Sequence, residues 1–157
     1  MPWRKGYEDN MSLIQWNEKF SVGVPVIDWH HKRLFGLLDI LRNGINNSAD
    51  DVVGAVLPNL VNYTIYHFSE EERLMEQAGY PGFEEHRRVH RTIRADVARM
   101  ADAYCDDTRN VSASELLIFM SNWLTEHVQT EDAAYGPWLV VRNHDEEPGR
   151  APFESIG

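Results

Sequence analysis

Apolar side chains return along this chain at steps of three and four, the period of one face of a helix. The first such stripe runs Ile27, His31, Leu34, Leu38, Leu41 and Ile45. A second holds Leu60, Thr64, His67, Glu71, Leu74 and Ala78, and a third His86, His90, Ile93, Val97, Met100 and Tyr104. A fourth holds Leu116, Met120, Trp123 and His127. No segment alternates polar and apolar residues for long enough to build a sheet. Four amphipathic helices with short connections predict an all-α, antiparallel up-and-down four-helix bundle, led by an extended segment.

Capping and breaking residues place the ends. Gly23 and Pro25 make the segment after Met11 extended or looped, and Asp28 is a candidate cap for the first helix. Ser48 with Asp51 resembles a capping box for the second helix. Pro58 then either kinks that helix near Leu57 or marks where its regular part begins. Gly79-Tyr80-Pro81-Gly82 turns the chain back, and the third helix starts near Phe83. It ends in the polar run Asp106 to Asn110. Ser112 and Glu115 form a capping box for the fourth helix, and Gly136-Pro137 is expected to stop it. The domain is therefore read as residues 12–136, between an extension (1–11) and a loosely ordered tail (137–157).

Charge and composition narrow the function. With 25 acidic against 15 basic residues and a net charge of −10, the chain is a poor partner for nucleic acid or an anionic membrane. No apolar run is long enough to span a bilayer. Arg4 and Lys5 are followed by no apolar stretch, which argues against a secretory signal and favours the cytoplasm. The single cysteine, Cys105, lies among aspartates that disfavour its thiolate, and it is read as a bystander.

Five of the seven histidines fall on the inward stripes: His31, His67, His86, His90 and His127. One such ring is ordinarily a hydrogen-bonded core histidine. Five converging from four helices would cost several kcal/mol if unpartnered, at about 1–3 kcal/mol each. A buried cation removes the difficulty. His67 with Glu71 and His86 with His90 are pairs spaced one helical turn apart, facing each other across a hairpin. Histidine with carboxylate and no thiolate suits iron, zinc, copper or manganese, and the set exceeds one four-coordinate zinc. Two ions sharing carboxylates fit better. The Glu-x-x-His pairs of ferritin-like bundles are missing. By spacing alone Glu131, four residues after His127, faces the same way, while Asp132 lies about 140° round.

Together these residues resemble the hemerythrins, specifically the single-domain bacterial kind, over residues 12 to 136. The matching motifs are Trp16 with Phe20, Val22-Gly23-Val24, and Asp28-x-x-His31-x-x-Leu34. His67-Phe68 with Glu70-Glu71, Tyr80-Pro81, His86-x-x-x-His90, and Trp123-Leu124-x-x-His127 with Asp132 complete them. A member of that group is itself a standard example of the up-down bundle. The resemblance implies two oxo- or hydroxo-bridged, non-haem irons. His86, His90 and His127 would hold one, and His31 and His67 the other, with Glu71 and Asp132 bridging. Dioxygen would bind reversibly at the open position of the second iron, walled by Leu34, Phe68, Trp123 and Leu124, with Tyr135 near the bridge. No organic cofactor is implied. The expected role is oxygen storage, delivery or scavenging. The alternatives are an oxygen or nitric oxide sensor acting through a partner, or a diiron enzyme acting on peroxide or nitric oxide. His30, where the family usually has Gln, is read as lying behind the ligands or at the surface, and His144 as exposed.

Overall fold

The computed structural model describes residues 15–49 and 51–143 of the chain. Helix α1 spans Pro25–Asn46, α2 Val52–Ala78, α3 Phe83–Asp106 and α4 Ala113–His127. A π-helical turn, Val128–Asp132, joins α4 to α5, Ala133–Asn143. Short 3₁₀ turns lie at Glu18–Phe20 and Thr108–Asn110, and no strand occurs among the described residues. The result is the expected four-helix bundle. α1 packs on α2 and α4, and α2 packs on α3 and α5.

The helix ends show which local signals mattered. Pro25 opens α1, its fixed φ suiting the first turn. Asp28 is not the cap. Its carboxylate instead accepts from the Ser21 hydroxyl at 2.5 Å and the Val22 N–H at 2.8 Å, fastening the leading segment to the helix. The second helix begins at Asp51, not Ser48: Asp51, at φ 52°, accepts from the Gly54 N–H at 3.0 Å. The same carboxylate accepts the Tyr104 hydroxyl from the far end of α3. α2 runs through Pro58 and ends on Gly79 in the left-handed region (φ 66°), where lacking a Cβ removes the strain. Ser112 and Glu115 form the expected capping box of α4.

Gly136-Pro137 does not stop the last helix. The chain stays helical to Asn143, and residues 137–143 are not a loose tail. Leu139 is buried, and the Trp138 indole N–H donates to the Ala78 carbonyl at 2.8 Å. Burial of this turn outweighs the one backbone bond that Pro137 removes. Gly136 is needed because a Cβ there would collide with the Val22 carbonyl oxygen. His144 and the rest of the tail lie outside the described residues.

Two apolar clusters fill the bundle. The larger includes Leu34, Leu38, Leu60, Phe68, Ile93, Leu116, Met120, Trp123, Leu124 and Val128. The smaller holds Val22, Val24, Ile27, Met75, Ala78, Tyr135 and Leu139. Each Val, Leu, Ile, Phe or Met among them contributes on the order of 1.5–3 kcal/mol on burial. Along three helical segments buried polar residues fall between the clusters. His31 lies between Ile27 and Leu34, Glu71 between Phe68 and Met75, and Asp132 between Val128 and Tyr135. A polar layer is thus sealed by apolar side chains above and below.

Candidate metal centre

The sealed layer is built from every helix of the bundle. α1 supplies His31, α2 His67 and Glu71, α3 His86 and His90, α4 His127, and the π turn Asp132. None is more than 3% exposed, so each polar group has been taken out of water.

The π turn resolves the conflict of spacing at the end of α4. One extra residue is accommodated between His127 and Asp132, so a position that an α-helix would turn away is carried back to the inner face. Asp132 is fully buried. Glu131, the choice of simple spacing, has a side chain that is 37% exposed, and its Oε2 stands 3.7 Å from the outer nitrogen of His127. The short side chain does not reach across the helix; the backbone widens instead.

All five inward rings present Nε2 to the centre. Glu71 Oε1 faces His67 Nε2 at 2.7 Å and His31 Nε2 at 3.3 Å. Glu71 Oε2 faces His90 Nε2 at 3.1 Å and His86 Nε2 at 3.4 Å. Asp132 divides its oxygens in the same way. Oδ2 lies 3.0 Å from His31 Nε2, and Oδ1 lies 3.0 Å from both His86 Nε2 and His127 Nε2. The donor atoms form two overlapping groups, each within 4.8 Å: Glu71, His86, His90, His127 and Asp132; and His31, His67, Glu71 and Asp132. Both carboxylates belong to both groups.

Charge in this layer is finely opposed. Burial resists ionisation of Glu71, yet the His67, His31 and His86 rings hold its carboxyl well below the usual range. For Asp132, burial and the neighbouring Glu71 resist ionisation, and His127 and His31 overcome both. Burial also works against charge on His31 and His86, but the Asp132 and Glu71 carboxylates raise each to about 9. Protons on these rings neutralise the carboxylates in the metal-free chain. A better counter-charge is indicated by the geometry. His86 Nε2, His90 Nε2, His127 Nε2, Glu71 Oε2 and both Asp132 oxygens are buried without a hydrogen bond of acceptable angle, despite separations near 3 Å. These donor atoms crowd one shared space, lying within 4.8 Å of one another in each group. Two cations placed there would satisfy nitrogen lone pairs and carboxylates together, so the residues fit a dinuclear site.

The outer nitrogens of His90 and His67 are held in turn. His90 Nδ1 lies 3.1 Å from Glu72 Oε1, which also accepts from Arg94 at 3.1 Å. His67 Nδ1 lies 2.9 Å from Nδ1 of His30. His30 is therefore behind the ligands and not at the surface; burial, reinforced by His67, pushes its pKa down to about 4. Its stripe offset left open whether it backed the ligands or lay at the surface, and its burial decides for the first. Leu34, Phe68, Trp123 and Leu124 are all buried in the larger cluster. Phe68 stacks on His90, with centroids 3.9 Å apart and planes at 7°, and meets Trp123 edge-on. Tyr135 is fully buried, and burial together with Asp132 and Glu71 drives its phenol well above the usual range.

Similarity to known proteins extends over most of the chain. Residues 22–139 fit the profile of the hemerythrin HHE cation binding domain. A bacteriohemerythrin of Stenotrophomonas maltophilia is 35% identical over 127 residues, covering 80% of each chain. A myohemerythrin of Sipunculus nudus is 30% identical over 128 residues, covering 76% of this chain and 88% of its own. A solved hemerythrin structure, a leucine-to-tyrosine mutant, superposes with a TM-score of 0.74 at 26% identity, covering 82% of this chain and 98% of that one. On these similarities the chain belongs to the hemerythrin family.

Proposed function

We propose that this protein binds dioxygen reversibly at a non-haem diiron centre, for storage, delivery or scavenging in the cytoplasm. The observation that carries the reading is the division of both carboxylates, each giving one oxygen to either histidine group. In this assignment His86, His90 and His127 hold one iron and His31 and His67 the other. Glu71 and Asp132, which face both groups, would be shared between the two. When bound, the irons supply reversible redox chemistry toward dioxygen. One group offers five residues and the other four, so the His31 and His67 side has a protein donor fewer and room for a small ligand.

The protein's own work is to hold and to exclude. Five neutral rings and two carboxylates set the charge of the centre, while the clusters on either side keep out water and larger anions. Leu34, Phe68, Trp123 and Leu124 would wall the oxygen position. The buried acids and the rings facing them are all used in holding ions, which suits a carrier better than an enzyme. No helix among the described residues is long and apolar enough to cross a membrane. The exposed Cys105 is compatible with a reducing compartment.

Iron content and an optical spectrum test the reading. Two irons per chain should accompany a charge-transfer band that appears when the reduced protein meets air and fades under vacuum. Oxidation that vacuum never reverses defeats the carrier function, and loading with a single ion defeats the dinuclear assignment.

A further inference from the structure

We infer that His30 is a positioning residue for the metal centre: its Nδ1 accepts the Nδ1–H of His67 and fixes the tautomer and ring plane in which His67 offers Nε2. The inference rests on the ligand role proposed for His67. His67 Nε2 is the nitrogen that faces Glu71, at 2.7 Å. To bind a metal it must be free of its proton, which in a neutral ring then resides on Nδ1. The atom 2.9 Å from that Nδ1 is Nδ1 of His30. Two neutral rings meeting nitrogen to nitrogen share one proton, so with His67 the donor, His30 carries its own on Nε2.

Packing leaves little freedom in this arrangement. His30 is 0% exposed and His67 1%. Their planes meet at 78°, with centroids 5.1 Å apart. Tyr66 and Tyr63 lie 5.3 and 5.9 Å from the His30 ring, and Tyr63 lies parallel to His67 within 3°. Neither histidine turns without displacing close-packed aromatic neighbours.

The contrast with His90 gives the contact its consequence. His90 leans on a carboxylate, Glu72, whereas His67 leans on a neutral ring. A carboxylate draws the imidazole proton harder and makes the opposite nitrogen a stronger donor. His30 therefore makes His67 the weaker donor of the two ligands, on the side with fewer protein donors.

The test compares H30L, which removes the acceptor, with H30Q, which keeps a neutral acceptor in its side-chain carbonyl. Iron affinity measured by chelator competition should fall about 10–100-fold at one of the two sites in H30L and stay within about threefold of wild type in H30Q. The charge-transfer band should shift in H30L alone. Unchanged affinity in H30L, or equal losses in both variants, overturns the inference. Should H30L not fold, imidazole ¹⁵N spectra of the wild-type chain loaded with zinc decide: His30 protonated on Nε2 and coupled to His67 through the Nδ1 contact supports it, and His30 protonated on Nδ1 overturns it. A wild-type chain that takes up fewer than two irons counts against the ligand assignment, a separate outcome from either variant result.

Discussion

Removing the metal should make stability depend on pH where the loaded protein is indifferent to it. In the metal-free chain burial disfavours charge on His31, but the Asp132 and Glu71 carboxylates raise its pKa from 6.5 to about 9. A group whose pKa rises on folding stabilises the fold while it is protonated in both states. That contribution is complete below pH 6.5 and is lost as pH climbs through about 9. At about 1.4 kcal/mol per pH unit the rise is worth roughly 3 kcal/mol. His86 is raised to about 9 by the same two carboxylates, so the two contributions overlap and do not add. For a chain of this size roughly 3 kcal/mol corresponds to about 6–12 °C in melting temperature. Thermal unfolding of metal-free and iron-loaded protein, followed by circular dichroism from about pH 6.5 to about pH 10, is the assay. Bound ions keep these rings deprotonated, so the loaded protein should lack this alkaline loss. A flat metal-free curve, or an equal fall in both forms, refutes the reasoning.

Three further outcomes follow from particular residues. Deleting Gln129, exposed in the π turn, leaves Asp132 four residues from His127 in plain α-helical spacing, so the chain should still take two metals; loss of one would show that the π backbone itself is required. Leu124→Ala should cost about 2–5 kcal/mol in denaturant unfolding and speed irreversible oxidation of the reduced protein, whereas an unchanged oxidation rate would remove Leu124 from the oxygen wall. Gly136→Ala forces a methyl toward the Val22 carbonyl oxygen and should destabilise the fold by about 1–3 kcal/mol; an unchanged unfolding midpoint would mean that the leading segment gives way freely.

The bundle was legible because its stripes are strict: of the residues placed inward by period, all but Ile45, Leu74, Met100 and Tyr104 are buried, and those four are half-buried. Where prediction slipped, a tertiary contact overrode a local rule. Pro137 and Gly136 read as a stop, but no local rule weighs the burial of Leu139 or the bond from Trp138 to Ala78. Asp51 took the cap that Ser48 seemed to offer, and Tyr104, distant in sequence, shares its carboxylate. The site residues come together as groups whose existence the sequence implied, since polar residues on an apolar stripe need an explanation. Asp132 could not be derived from helical period, because a π turn has no composition signature and shows itself only as a conflict of spacing. His30 was harder still: it lies off the stripe, and its burial depends on tyrosines of another helix.

The split carboxylate of Asp132 also makes the centre a cross-link. This chain has one cysteine, so no disulfide can form within it. His31 and Asp132, about 100 residues apart, meet at 3.0 Å, and a shared ion would close that length of chain into a loop. In the chain-entropy account a covalent bridge across a loop of about 100 residues restricts the unfolded chain by about 4–5 kcal/mol. Coordination supplies a tie of the same topology that a chelator, rather than a reductant, unfastens.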